Sequence, residues 1–107
     1  RAGERREQHG GAERHGGVPI NHMLVVRQEL SRSRPDVVQD VFRQLHESKL
    51  AAGLPDGGAL DPYRFGVEAC RSILEIIIDF CHRQELIPRR MSVDELFDDT
   101  TRALKIA

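Results

Sequence analysis

Two polar residues set inside an apolar run are the first place in this sequence where chemistry is possible. Asn21 and His22 interrupt the stretch Val18-Pro19-Ile20-Asn21-His22-Met23-Leu24-Val25-Val26. A buried polar group without a partner costs roughly 2–7 kcal/mol, so such a pair must either meet a ligand or close a hydrogen-bonded structural end of the segment. A second cluster, Tyr63, Arg64, Glu68 and Arg71, stands at the start of a long apolar segment. Free N–H groups of a first helical turn, together with arginines, can hold a carboxylate. The competing reading is helix-end ion pairing of Glu68 with Arg64 or Arg71.

Other chemistry-bearing types fall in unproductive places. His9 and His15 are flanked by Gly and Arg, with no thiol or carboxylate beside them to complete a metal site. His82 follows Cys81 directly, so the two point to different helix faces. Cys70 and Cys81 lie eleven positions apart, roughly 16 Å along a helix, which is beyond disulfide reach within that helix. They read as small apolar side chains in a reducing compartment. The sequence contains no Gly-rich phosphate loop, nucleophile elbow or zinc motif. No cofactor is evident, and the metal requirement is left open.

The elements that must position these residues follow from local patterns. Residues 1–17, with two Gly-Gly pairs and almost no apolar side chain, read as a flexible arm or linker. Residues 18–26 are apolar on both faces and read as one buried strand, of the kind covered on both sides in α/β folds. A single strand cannot satisfy its own ladder, so its partners are expected from a further part of the protein or from a second copy.

Pro35 and Asp36 suit a helix start and Gly53 a helix end. Between them Val38, Val41, Phe42 and Leu45 form an apolar stripe, while Asp40, Arg43, Gln44 and Glu47 face outward. Residues 54–62 are a turn-rich loop. A second helix is expected over 63–84, with Cys70, Ile73, Leu74, Ile77 and Cys81 as a stripe that Ile76, Ile78 and Phe80 widen until most sides are apolar. Such a helix needs more covering material than a single small chain supplies. Ser92-Val93-Asp94-Glu95 reads as a capping box, with Met91 and Leu96 as its hydrophobic staple, opening a short helix that ends near Asp98.

At 107 residues, about one domain is expected. Sixteen Lys plus Arg against seventeen Asp plus Glu remove the electrostatic footprint of a nucleic-acid binder. An apolar share of 39% without a long apolar run argues against a membrane partner. With no export signal in the sequence, the expected compartment is the cytoplasm.

Three stretches resemble the end of the 4,5-dihydroxyphthalate decarboxylases: Gly17 to Val26, Tyr63-Arg64-Phe65-Gly66-Val67-Glu68-Ala69-Cys70-Arg71, and Ser92-Val93-Asp94-Glu95-Leu96-Phe97. The resemblance runs from about Glu13 onward. It implies a parent α/β fold of the type 2 periplasmic-binding-protein kind, two lobes with ligand between them. Residues 18–107 would be its mainly α-helical carboxy-terminal segment, with the strand near 18–26.

The implied activity is decarboxylation of an aromatic dicarboxylate. The alternative is a solute-binding module, without catalysis, related to those that serve ABC transporters. In this setting Asn21, His22 and Arg71 are the ligand-binding candidates, and His22 the candidate general acid that protonates the ring carbon. A small aromatic carboxylate is the implied ligand. A homo-oligomer or a missing amino-terminal lobe is the implied protein partner. The family places Asn before the Arg of this helix motif, where the present chain has Cys70, so no polar role carries over to that position. Upstream of Glu13 the resemblance ends, and the Gly, Arg and His mixture reads as linker, tag remnant or out-of-frame translation.

Overall fold

The computed structural model describes residue 20 and residues 22–106, and these are mainly helical. In chain order they form α1 (Gln28–Ser33), α2 (Pro35–Ala51), α3 (Val67–Arg83), a 3-10 turn (Asp94–Leu96) and α4 (Asp99–Arg102). No described helix is long and apolar enough to cross a membrane. The expected arm at 1–17 lies outside the described residues.

The expected strand does not form in its described part. Ile20 and residues 22–26 take no regular structure, and Leu24 and Val25 are 77% and 86% exposed. β-Branched and apolar residues favour a pleated surface only where a neighbouring strand supplies hydrogen bonds, and the described residues contain no second strand. Only Ile20 of this described segment packs against the core.

Pro35 separates α1 from α2. It occupies the first helical turn of α2, where its missing N–H costs nothing, and it disfavours helical backbone at Arg34 (φ −135°, ψ 64°). The Arg34 guanidinium bridges to the Asp36 carboxylate at 3.0 and 2.9 Å. α1 was not expected from the sequence. It is fixed where the Thr100 hydroxyl of α4 donates to the carbonyl of the fully buried Ser31 at 2.9 Å.

α2 starts and ends as its sequence implies, but its buried face is turned. Val38 is buried and Phe42 half-buried, whereas Val41 and Leu45 are 43% and 42% exposed. His46 and Lys49 complete the buried face in their place. Asp40, Arg43, Gln44 and Glu47 are exposed, linked by Arg43 pairing with Asp40 and Glu47 and by a Gln44–Asp40 hydrogen bond.

α3 begins at Val67, later than the expected 63–84 span, because Gly66 at φ 96° is not helical. Val67, Cys70, Ile73, Leu74 and Ile78 are the buried residues of α3, and all but Ile73 cluster with Val93, flanked by Ile87, Met91 and Phe97 of the returning chain. Ile76, Ile77 and Cys81 are half-buried and Phe80 is 48% exposed, so one stripe is covered and not most sides. Both cysteines are free thiols.

The expected capping box at 92–95 is half made. The Ser92 N–H donates to Glu95 Oε2 at 2.6 Å, but Ser92 caps no helix and the element is a 3-10 turn preceded by Val93. Arg89 and the Ser92 N–H hold the Glu95 carboxyl down at about 2. The complete box lies at α4. The Thr101 N–H donates to Asp98 Oδ1 at 2.9 Å and the Asp98 N–H to Thr101 Oγ1 at 3.0 Å.

Both long helices end in the same motif with different residues. After α2, Leu54 N–H reaches the Lys49 carbonyl and Gly53 N–H the Leu50 carbonyl, with Gly53 at φ 71°. After α3, Leu86 N–H reaches Cys81 and Glu85 N–H reaches His82, with Glu85 at φ 59°. A non-glycine residue in this left-handed region carries strain of roughly 1–2 kcal/mol. Glu85→Gly is therefore expected to raise stability by about 0.5–1 kcal/mol and Gly53→Ala to lower it by about 1 kcal/mol, read by urea unfolding. A loss on Glu85→Gly would contradict the assignment.

Candidate functional site

The predicted site residues are dispersed. Asn21 lies outside the described residues. His22 is exposed on the irregular segment before α1, with no hydrogen bond or ion pair to another described residue. Arg71, one turn into α3, is the candidate that the fold builds into a concave surface.

That surface is an open groove of about 470 Å³. Its floor is the start of α3, from Gly66 to Ala69, and its walls are Arg71, Asp94, Arg102 and residues 104–106, with Phe65 at one end. No side chain caps the first turn of α3. Arg71 reaches across from α3 to the 3-10 turn. Its Nη2 donates to Glu68 Oε1 at 2.7 Å and to Asp94 Oδ1 at 2.9 Å, and its Nε donates to Glu68 Oε2 at 3.1 Å.

These bonds to Glu68 and Asp94 raise Arg71, and Arg71 in turn holds both carboxyls below the ordinary carboxylate range. The helix-end pairing of Glu68 with Arg71 is thus formed. Arg71 is shared by Glu68 and Asp94, and Arg102 pairs with Asp99, which leaves Lys105 as the lining cation without an ion pair among the described residues. Such a groove can hold an anion whose body packs on Phe65, Leu104 and Ile106.

Arg64 turns away from Glu68. It donates to the Ala69 carbonyl and the Gly58 carbonyl, both at 2.9 Å, and ties the preceding loop to the start of α3. Tyr63 is 60% exposed, and its backbone is gripped from both sides.

Sequence reasoning missed the most buried polar cluster. Lys49 of α2, with 4% of its side chain exposed, donates to Asp61 Oδ2 at 2.6 Å, to the Tyr63 carbonyl at 2.8 Å and to Asp56 Oδ1 at 3.2 Å. Three donors thus meet three acceptors. Asp61, only 2% exposed, also accepts the Gly57 N–H at 2.8 Å and the Tyr63 N–H at 2.9 Å. Burial pushes the Asp61 carboxyl up, and the Lys49 ammonium with these two N–H groups overcomes it, leaving a lowered pKa.

His46 Nε2 lies 3.1 Å from both oxygens of Asp56 and, with Lys49, holds that carboxyl low. Phe65 closes the cluster, edge-on to His46 at 5.2 Å and beneath the Lys49 ammonium at 5.4 Å. The available signal was Lys49 itself, a charge at helical spacing on the same face as Val38 and Phe42, followed by acidic residues in a Gly- and Pro-rich loop.

Cys70 sits under this loop, its thiol directed at the Arg64 carbonyl at 3.5 Å and pushed up by burial. Among the described residues no group of three or more His, Cys, Asp or Glu gathers to hold a metal ion.

Removing one partner of a buried pair strands the other charge. Lys49→Met is expected to lower unfolding stability by about 3–5 kcal/mol. Combining it with Asp61→Asn should cost about 1–3 kcal/mol less than the sum of the two single changes, in a urea-unfolding cycle. Additive losses would show that the pair carries no coupling. Because the folded-state pKa of Asp61 is depressed, its contribution is present above the unfolded value and lost as pH falls through the folded one. Stability should fall below about pH 4, and Asp61→Asn should flatten that slope.

Compared with protein-family models, with curated proteins and with solved structures, the chain matches none.

Proposed function

We propose that the chain is the carboxy-terminal segment of a 4,5-dihydroxyphthalate decarboxylase-like protein and that the groove at the start of α3 takes one carboxylate of an aromatic dicarboxylate. The supporting observation is a meeting of two separate stretches. Tyr63 to Arg71 and Ser92 to Phe97, two of the three that carry the resemblance, are joined by the Arg71–Asp94 bond at 2.9 Å. Arg71 offers a planar cation there, held by two carboxylates, and the uncapped N–H groups of α3 offer partial positive charge.

In the proposed reaction the ring–carboxylate bond breaks, its electron pair stays on the ring carbon, carbon dioxide leaves, and an acid returns a proton to that carbon. His22 is the proposed acid and Asn21 a proposed ligand contact. The exposed run at 23–26 is offered to a further lobe or a second copy, which would bring His22 to the ligand. A binding module without catalysis is the second reading, favoured by the place of His22, the proposed acid, outside the described lining of the groove at Arg71.

The experiment is carbon dioxide release from 4,5-dihydroxyphthalate, measured on the longest reading frame that contains this sequence. Turnover lowered roughly 10²–10⁴-fold by His22→Gln, with binding retained, is the expected result. Arg71→Ala is expected to weaken binding about tenfold or more. Ligand-dependent thermal stabilisation without product would select the binding module, and neither signal would overturn both readings.

A further inference from the structure

Between α3 and the 3-10 turn the chain reads Arg89-Arg90-Met91-Ser92-Val93. Ser92 is the one serine or threonine of the sequence with arginines at both the second and third positions before it. Residues 90–92 take no regular structure, and Ser92 is exposed. The Arg89 and Arg90 side chains are 61% and 58% exposed. Protein kinases choose their acceptors by the charge pattern around them. An exposed hydroxyl on irregular chain, with two reachable cations before it and an apolar residue after it, fits a kinase whose cleft is acidic.

Both arginines rest on carboxylates that such a cleft can replace. Arg89 forks onto Glu95 at 2.7 and 3.1 Å, and Arg90 lies 3.5 Å from Asp79. Exposed pairs of this kind are weak, so exchanging one carboxylate for another costs little. Glu95 also accepts the Ser92 N–H at 2.6 Å, which sets Ser92 beside the Arg89–Glu95 pair. Val93 is the tie that resists: it is 2% exposed, and it must leave the core for a kinase to grip the segment.

We propose that Ser92 is a phosphorylation site for a kinase that reads Arg89 and Arg90, and that the phosphate, once formed, takes Arg89 from Glu95. In the transfer the Ser92 Oγ attacks the γ-phosphorus of a nucleoside triphosphate and the bond to the β-phosphate oxygen breaks. The nucleoside diphosphate leaves, and the hydroxyl proton passes to the aspartate of the kinase. The product carries a charge of about −1.5 to −2 at neutral pH and three acceptor oxygens. That group repels the Glu95 carboxylate and matches the planar fork of Arg89.

The test treats the full chain with an arginine-directed serine kinase and ATP, with a peptide of residues 86–97 alongside, and reads phosphate by intact mass and fragmentation. One phosphate on Ser92 of the full chain is expected, absent from Ser92→Ala, with kcat/KM about tenfold or more lower for Arg90→Gln. No phosphate on the full chain, a phosphate on another residue, or an unchanged rate for Arg90→Gln overturns the site. Modification of the peptide alone also overturns it, since Val93 then keeps the segment closed in the folded protein. On phosphorylation the NMR signals of the Arg89 Nε–H and the Glu95 carboxyl should both shift. A phosphorylated chain in which both stay in place overturns the exchange of partners.

Discussion

The buried pairing of Lys49 with Asp61 is the interaction on which the arrangement around the candidate groove depends. Residues 52–66 connect the two long helices without regular structure, and Leu54 and Leu60 are 41% and 48% exposed, leaving the half-buried Phe65, packed on Phe42 and His46, as the loop's main apolar contact. Hydrophobic burial therefore holds little of this loop. Its anchor is a single ammonium surrounded by two carboxylates and a carbonyl, with Asp61 gathering two backbone N–H groups of its own. Buried ion pairs stabilise only where every donor and acceptor is met, and that condition holds here. Tyr63 is fixed by this grip, Gly66 makes the turn that follows, and the first residue of α3 is set in consequence.

From that point the groove follows by geometry. α3 places Arg71 one turn inward, the returning chain places Asp94 opposite it, and the box at Asp98 aims the tail back across the helix start. The Thr101 N–H and hydroxyl both donate to Asp98 Oδ1, which closes α4 on itself, and the Thr100 hydroxyl donates to the Ser31 carbonyl, which ties α4 to α1. Charge pairs thus set the positions of elements that the small apolar core, centred on α3 and Val93, leaves undetermined.

What was legible in the sequence was what local physics decides. Pro35 and Gly53 bound α2 because a ring without an N–H and a residue without a Cβ each suit one end of a helix. The stripe from Cys70 through Leu74 was legible because helical period alone selects it. The buried face of α2 was not, since Lys49 counts as polar in any pattern and is buried only because Asp56, Asp61 and Tyr63, remote in sequence, converge on it. The described part of the run at 18–26 misled for the reverse reason: its residues favour a strand, and a strand exists only with a neighbour. Of the site, Arg71 was legible from its place at a helix start, while its partner Asp94, twenty-three residues on, required the fold.

The functional reading turns on whether the start of α3 and the 3-10 turn together contact a dicarboxylate. A titration of the ¹⁵N-labelled chain with 4,5-dihydroxyphthalate, followed by amide chemical shifts, tests this most directly. The expected result is saturable shifts confined to residues 66–71, 94–95 and 104–106, with Gly57 and Asp61 stationary. Shifts absent from residues 66–71 at saturating ligand, or centred elsewhere in the chain, would contradict it.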